Sequence, residues 1–98
     1  MNVNKMIEGN KLTLAVDGRL DTNSSPALLK EFTDVSEGVN ELVVDLAKVD
    51  YISSAGLRVL LSMRKIMNDQ GKMTIVNATR DMRDVFEMTG FTDILNIE

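Results

Sequence analysis

The spacing of apolar positions changes several times along the chain, and each change marks an element. Val3, Lys5 and Ile7 share one strand parity. Gly9-Asn10 follows, and Leu12, Leu14 and Val16 then alternate with Thr13, Ala15 and Asp17. Two alternating runs around a Gly-Asn dipeptide, which tolerates positive φ, predict an antiparallel hairpin. After Gly18 the period lengthens. Ser24 or Ser25 is placed to cap a helix, Pro26 suits its first turn, and Leu28, Leu29, Phe32 and Val35 form its apolar stripe, with Gly38 as a stop. Residues 42–46, LVVDL, are almost continuously apolar, which predicts a strand covered on both faces.

From Ala55 to about Asp69 the period is helical again, and Gly71 supplies a stop. Residues 73–76 read as a short buried strand. Thr79 is placed to cap a helix carrying Met82, Val85 and Phe86, ending near Gly90, and Ile94, Leu95 and Ile97 suggest a last strand. The order β-β-α-β-α-β-α-β predicts an α/β fold. Its mixed sheet has an N-terminal antiparallel hairpin followed by parallel βαβ units with right-handed crossovers, covered by helices. A chain of 98 residues suffices for one core, so residues 1–98 are expected to form one domain without linker or repeat.

Composition narrows the function classes. The formal net charge is -4, and Lys and Arg are not clustered as phosphate binding requires, so no nucleic-acid partner is expected. Cysteine and histidine are both absent. That excludes disulfides, Cys/His zinc sites and Ser-His or Cys-His catalytic pairs. Asp17, Asp21, Asp45 and Asp50 are too scattered to suggest a metal site, and nothing implies a cofactor. Ser62-Met63-Arg64-Lys65 matches the short Ser-x-x-Lys pattern of some hydrolases, but Ser62 and Lys65 fall on the polar side of the helix and no second catalytic motif accompanies them. Gly71-Lys72 lacks the upstream glycine of a phosphate loop. No run approaches the roughly 20 apolar residues that span a bilayer, and the amino terminus lacks the apolar stretch of a signal peptide. A cytoplasmic binding protein without membrane insertion, not an enzyme, is the expectation.

The stretch Asp50-Tyr51-Ile52-Ser53-Ser54-Ala55-Gly56-Leu57-Arg58 sits where a strand enters a helix. In alternating α/β chains, ligands favour the carboxyl ends of strands. A serine there also has a plain structural use as a cap. In the following helix Val59, Leu60, Met63, Ile66 and Met67 gather on one side. Leu57 and Leu61 fall on another, to fill a neighbouring helix groove or to face a partner. Ala55 and Gly56 allow either close packing on the sheet or close approach by another protein.

At these residues the sequence resembles the STAS domain family, specifically the bacterial anti-sigma-factor antagonists. Tyr51-Ile52-Ser53-Ser54-Ala55-Gly56-Leu57-Arg58 is similar to the family signature, and Gly18-Arg19-Leu20-Asp21 to its Gly-x-Leu/Ile-Asp after the second strand. Residues 42–46 resemble its central strand, and residues 86–91, FEMTGF, its closing helix and turn. The resemblance implies that Ser54 is a phosphorylation site. Ser53 stands where relatives often carry Asp. By the same resemblance Asp21, Thr22, Asn23, Ser53, Ala55, Gly56, Leu57 and Arg58 belong to a partner-binding surface. The implied partners are an anti-sigma factor with serine kinase activity, bound by the unphosphorylated form, and a PP2C-type serine phosphatase that reverses the modification. STAS domains in stress-signalling scaffolds and membrane-transporter assemblies offer a second reading, an interaction module without a sigma circuit. Longer relatives continue past the position of Glu98 into another helix.

Overall fold

The computed structural model describes all 98 residues. Strand β1 (Asn2–Glu8) pairs antiparallel with β2 (Lys11–Leu20), and helix α1 (Ser25–Thr33) leads to β3 (Glu41–Ile52). Helix α2 (Ser54–Asn68), strand β4 (Lys72–Val76), helix α3 (Arg80–Met88), a short 3-10 turn (Phe91–Asp93) and strand β5 (Asn96–Ile97) complete the chain. The sheet order is β1-β2-β3-β4-β5, and every pair after the hairpin is parallel. This is the mixed α/β architecture expected from the pattern.

Twenty-three buried apolar residues form one cluster. Leu12, Leu14 and Val16 of β2, Leu42, Val44 and Leu46 of β3, and Met73 and Ile75 of β4 supply its sheet side. Phe32 of α1, Leu60 and Met63 of α2 and Phe86 of α3 supply its helix side. Removing a large apolar side chain from water contributes about 1.5–3 kcal/mol. The fold therefore rests on this layer rather than on its ion pairs, which are all at least partly exposed.

Four local expectations are corrected. The strand at residues 42–46 is covered on one face only: Leu42, Val44 and Leu46 are buried, whereas Val43 and Asp45 are half-buried on the open face. That open face is kept hydrophilic at one end by a cross-strand row of alternating charge, Glu8, Lys11, Glu41 and Lys72. The same strand runs on to Ile52. Ile94 and Leu95 precede β5 instead of forming it. Finally, neither Ser24 nor Ser25 caps α1 through its side chain. Asp21 instead accepts the backbone N–H groups of Asn23 and Ser24 at 3.0 and 2.9 Å, in the turn just ahead of the helix. Thr79 does cap α3, accepting from the Met82 N–H at 3.3 Å.

Candidate functional site

The carboxyl ends of β2 and β3 lie side by side, and the site grows from that pairing. A register shift between Gly18 and Arg19, with Gly18 at φ +114°, re-aims the last residues of β2. Few side chains tolerate that backbone, which accounts for glycine at the head of Gly18-Arg19-Leu20-Asp21. Leu20 is buried, and its carbonyl accepts the Ser53 N–H at 2.8 Å. One hydrogen bond thus fastens the β3–α2 junction to the start of the Asp21-Thr22-Asn23 segment.

Ser53 and Ser54 have different surroundings. Ser53 is extended, half-buried and the cap of α2: its Oγ accepts the Gly56 N–H at 3.2 Å, and its carbonyl accepts the Leu57 N–H at 3.0 Å. Ser54 is the first helical residue. It is exposed, and its hydroxyl makes no hydrogen bond to the chain. The amides of Ser54 and Ala55 are first-turn donors, which an α-helix leaves without internal partners.

Gly56 is buried at the foot of the helix. A Cβ there would lie 2.7 Å from Ile52 Cγ1 and 2.9 Å from the Leu20 carbonyl oxygen, so only glycine lets α2 start this close to the sheet. Leu57 is 7 % exposed and belongs to the core cluster. Gly56 and Leu57, both expected on the partner-binding surface, are thus buried in the free chain and shape the junction from beneath. Ala55 and Leu61 are half-buried.

What remains exposed is a polar group of Thr22, Asn23, Ser54 and Arg58, with Asp21 half-buried among them. Two further residues hold it, neither of which had been singled out. Arg19 lies 3.9 Å from the Asp21 carboxylate and places its guanidinium 4.2 Å from the ring centroid of Tyr51, its register partner on β3. The arginine and the aromatic ring alone gave little signal, because their contact depends on the shifted register. The Asp21 carboxyl is held below the usual carboxylate range, first by the Ser24 backbone N–H and then by the Ser24 hydroxyl, with smaller help from Asn23 N–H and Arg19.

Beside the junction, Asp50, Tyr51 and Ile52 face Thr79, Asp81, Met82 and Val85 across a shallow cavity of about 230 Å³. Its lining carries the carboxylates of Asp50 and Asp81 and the hydroxyls of Tyr51 and Thr79, the last engaged as the cap of α3. In the Ser-x-x-Lys stretch, the Ser62 hydroxyl donates to the Arg58 carbonyl at 3.0 Å, and Lys65 is exposed. No three acidic side chains come together as metal ligands would, and no helix is long and apolar enough to cross a membrane.

With this geometry in view, the sequence profile of the STAS domain family matches residues 2–98. The chain belongs to the STAS domain family. Among curated relatives it is 41 % identical over 64 residues to BtrV of Bordetella bronchiseptica, covering 64 % of this chain and 55 % of that protein. It is 29 % identical over 100 residues to the anti-sigma-B factor antagonist of Bacillus subtilis, covering 99 % of this chain and 92 % of that one. The fold is shared with TM1081 of Thermotoga maritima, with TM-score 0.89, 20 % identity, and 97 % and 84 % of the two chains covered. It is also shared with the Bacillus anti-sigma factor antagonist SpoIIAA. The unphosphorylated form has TM-score 0.77 and 14 % identity over 99 % of this chain and 87 % of that one. The phosphorylated form has TM-score 0.74 and 17 % identity over 99 % and 91 %.

Proposed function

We propose that this STAS domain is an anti-sigma factor antagonist controlled at Ser54. In this reading the unmodified chain binds an anti-sigma factor that is also a serine kinase, and so releases the sigma factor. Transfer of the γ-phosphoryl group from ATP to the Ser54 oxygen, releasing ADP and the hydroxyl proton, ends the binding, and a PP2C-type phosphatase restores it by hydrolysis to serine and inorganic phosphate. The observation that carries the reading is the division of labour at the junction: Ser53 is engaged as the helix cap, while the Ser54 hydroxyl is exposed and free. The B. subtilis relative, matched over nearly its whole length, is named an anti-sigma-B factor antagonist.

The physics favours a change of recognition over a change of fold. A phosphate adds about -1.5 to -2 charges and three acceptor oxygens. At the head of α2 it meets unpartnered amides and the positive end of the helix dipole, which favour an anion. The same charge lies on the exposed surface that the Ser53–Leu20 hydrogen bond ties to the Asp21-Thr22-Asn23 segment. A partner packed there would have to desolvate it, and disrupting a central contact of this kind costs several kcal/mol. Asp21, Thr22, Asn23, Ser54 and Arg58 form the contact surface in this reading. The role is one of binding, with no catalytic step performed by this chain.

The test is to incubate the protein with ATP and a candidate anti-sigma-factor serine kinase from the same genome, then locate the phosphate by mass spectrometry. Phosphate on Ser54, lost in Ser54→Ala and kept in Ser53→Ala, is the expected result. Phosphate elsewhere, or none with a kinase of verified activity, refutes the reading.

A further inference from the structure

Ser54 and Arg58 are the first and fifth residues of α2, one helical turn apart, and both are exposed. At 3.6 residues per turn this spacing stacks them on one face of the helix. Long side chains in a helix lean toward its amino terminus, which puts the turn that carries Ser54 within reach of the Arg58 guanidinium. It is also uncommitted. The four ion pairs of the molecule are Lys5–Glu31, Arg19–Asp21, Lys30–Asp34 and Lys72–Glu41, and the Arg58 side chain makes no hydrogen bond. Arg19, the other arginine of the site, is already held by Asp21 and Tyr51.

We propose that Arg58 is the counter-cation of phosphorylated Ser54, closing onto the phosphate within the same helix. The inference rests on the Ser54 reading above and deepens it. With the Ser53 hydroxyl on Gly56 N–H and the Ser53 N–H on Leu20, the phosphate is left with the Ser54 and Ala55 amides on one side and the Arg58 fork on the other. The anion lies amino-terminal to the cation, the favourable order for such a pair. Modification then does two things to the contact surface. It adds a dianion, and it withdraws the one free arginine of the site from any acidic group of a partner. The local charge of the two residues changes from +1 to about -1. An arginine serves this better than a lysine, because its planar fork binds two phosphate oxygens at once.

The experiment uses the full chain with phosphoserine installed at position 54 during translation, so that no kinase is needed. The second phosphate ionisation is followed by phosphorus NMR in the otherwise native protein, in Arg58→Gln and in Arg58→Lys. Arg19 on β2, Asp21 on the β2–α1 connection, Lys30 on α1, and Asp50 and Tyr51 on β3 are common to all three, so differences isolate position 58. The native pKa should lie below that of Arg58→Gln by at least about 0.3 unit. Arg58→Lys should fall between them, and added salt should narrow the gap. Equal values in the native and Arg58→Gln proteins, each verified as folded by circular dichroism, overturn the inference. Because the phosphate is installed without a kinase, a failure to observe phosphorylation by the kinase refutes the Ser54 reading alone, and a missing shift refutes only the role of Arg58.

Discussion

The Ser53 hydroxyl accepts the Gly56 N–H at 3.2 Å, and this bond separates the roles of two adjacent serines. Ser53 belongs to the stability of α2, whereas Ser54 belongs to its surface. Replacing a capping serine by alanine typically costs about 1 kcal/mol. Ser53→Ala should therefore lower the thermal midpoint by roughly 4–8 °C. Ser54→Ala should stay within about 0.5 kcal/mol of the native chain. Urea unfolding of the two variants measures both, and equal losses would refute the assignment of the cap.

Gly56 sets how closely α2 approaches the sheet. The added methyl of Gly56→Ala would press on Ile52 Cγ1 and on the Leu20 carbonyl oxygen. Overpacking of this kind costs about 1–3 kcal/mol. It should also disturb the Ser53–Leu20 bond, seen as faster hydrogen exchange at the Ser53 amide. Unchanged stability and exchange would mean that the helix start has room to spare.

Leu57 lies beneath the surface instead of on it. Leu57→Ala should cost about 2–5 kcal/mol, as buried leucines do, while Leu57→Met should cost less than about 1.5 kcal/mol. Partner affinity, measured by titration calorimetry on folded protein, should survive in Leu57→Met. A large loss of affinity in that variant at native stability would make Leu57 a contact residue after all.

Asp21 supplies the pH dependence. Its carboxyl is lowered in the folded chain, chiefly by the Ser24 N–H, and has an ordinary value when unfolded. Its contribution to stability is thus fully present above the ordinary aspartate value of about 3.9 and is lost as pH falls through the lowered folded value. Asp21→Asn should flatten that acid limb while leaving the rest of the profile parallel. Urea midpoints across the acid range test the sign: a steeper acid limb in the variant would contradict it.

How much of this was legible in the sequence depended on how local the cause was. The alternation of Leu12, Leu14 and Val16 and the stripe of Val59, Leu60 and Met63 record burial directly, so the strand, the helix and their order could be read off. The Thr79 cap was equally local. The continuation of β3 through Lys48 to Ile52 was not, because Ala47 and Lys48 are both exposed and break the alternation. The register shifts that accommodate this break lie in the pairing with β2 and have no signature in β3 alone. The Asp21 turn escaped because it holds the backbone of Asn23 and Ser24, ahead of the helix start at Ser25, where no capping pattern looks. The burial of Leu57 lies outside the main stripe of α2 and shows only in the folded chain. Within the site, the serine pair was visible as a motif, but the difference between the two hydroxyls required the backbone geometry.

The most direct measurement compares two forms of one protein. Unmodified chain and chain carrying phosphoserine at position 54 are titrated calorimetrically against the anti-sigma factor, with amide NMR spectra recorded for both. The account expects affinity to fall by more than about a hundredfold, while spectral changes stay confined to the Asp21–Asn23 segment and the first turns of α2. Equal affinity of the two forms, or loss of binding accompanied by collapse of the whole spectrum, would contradict it.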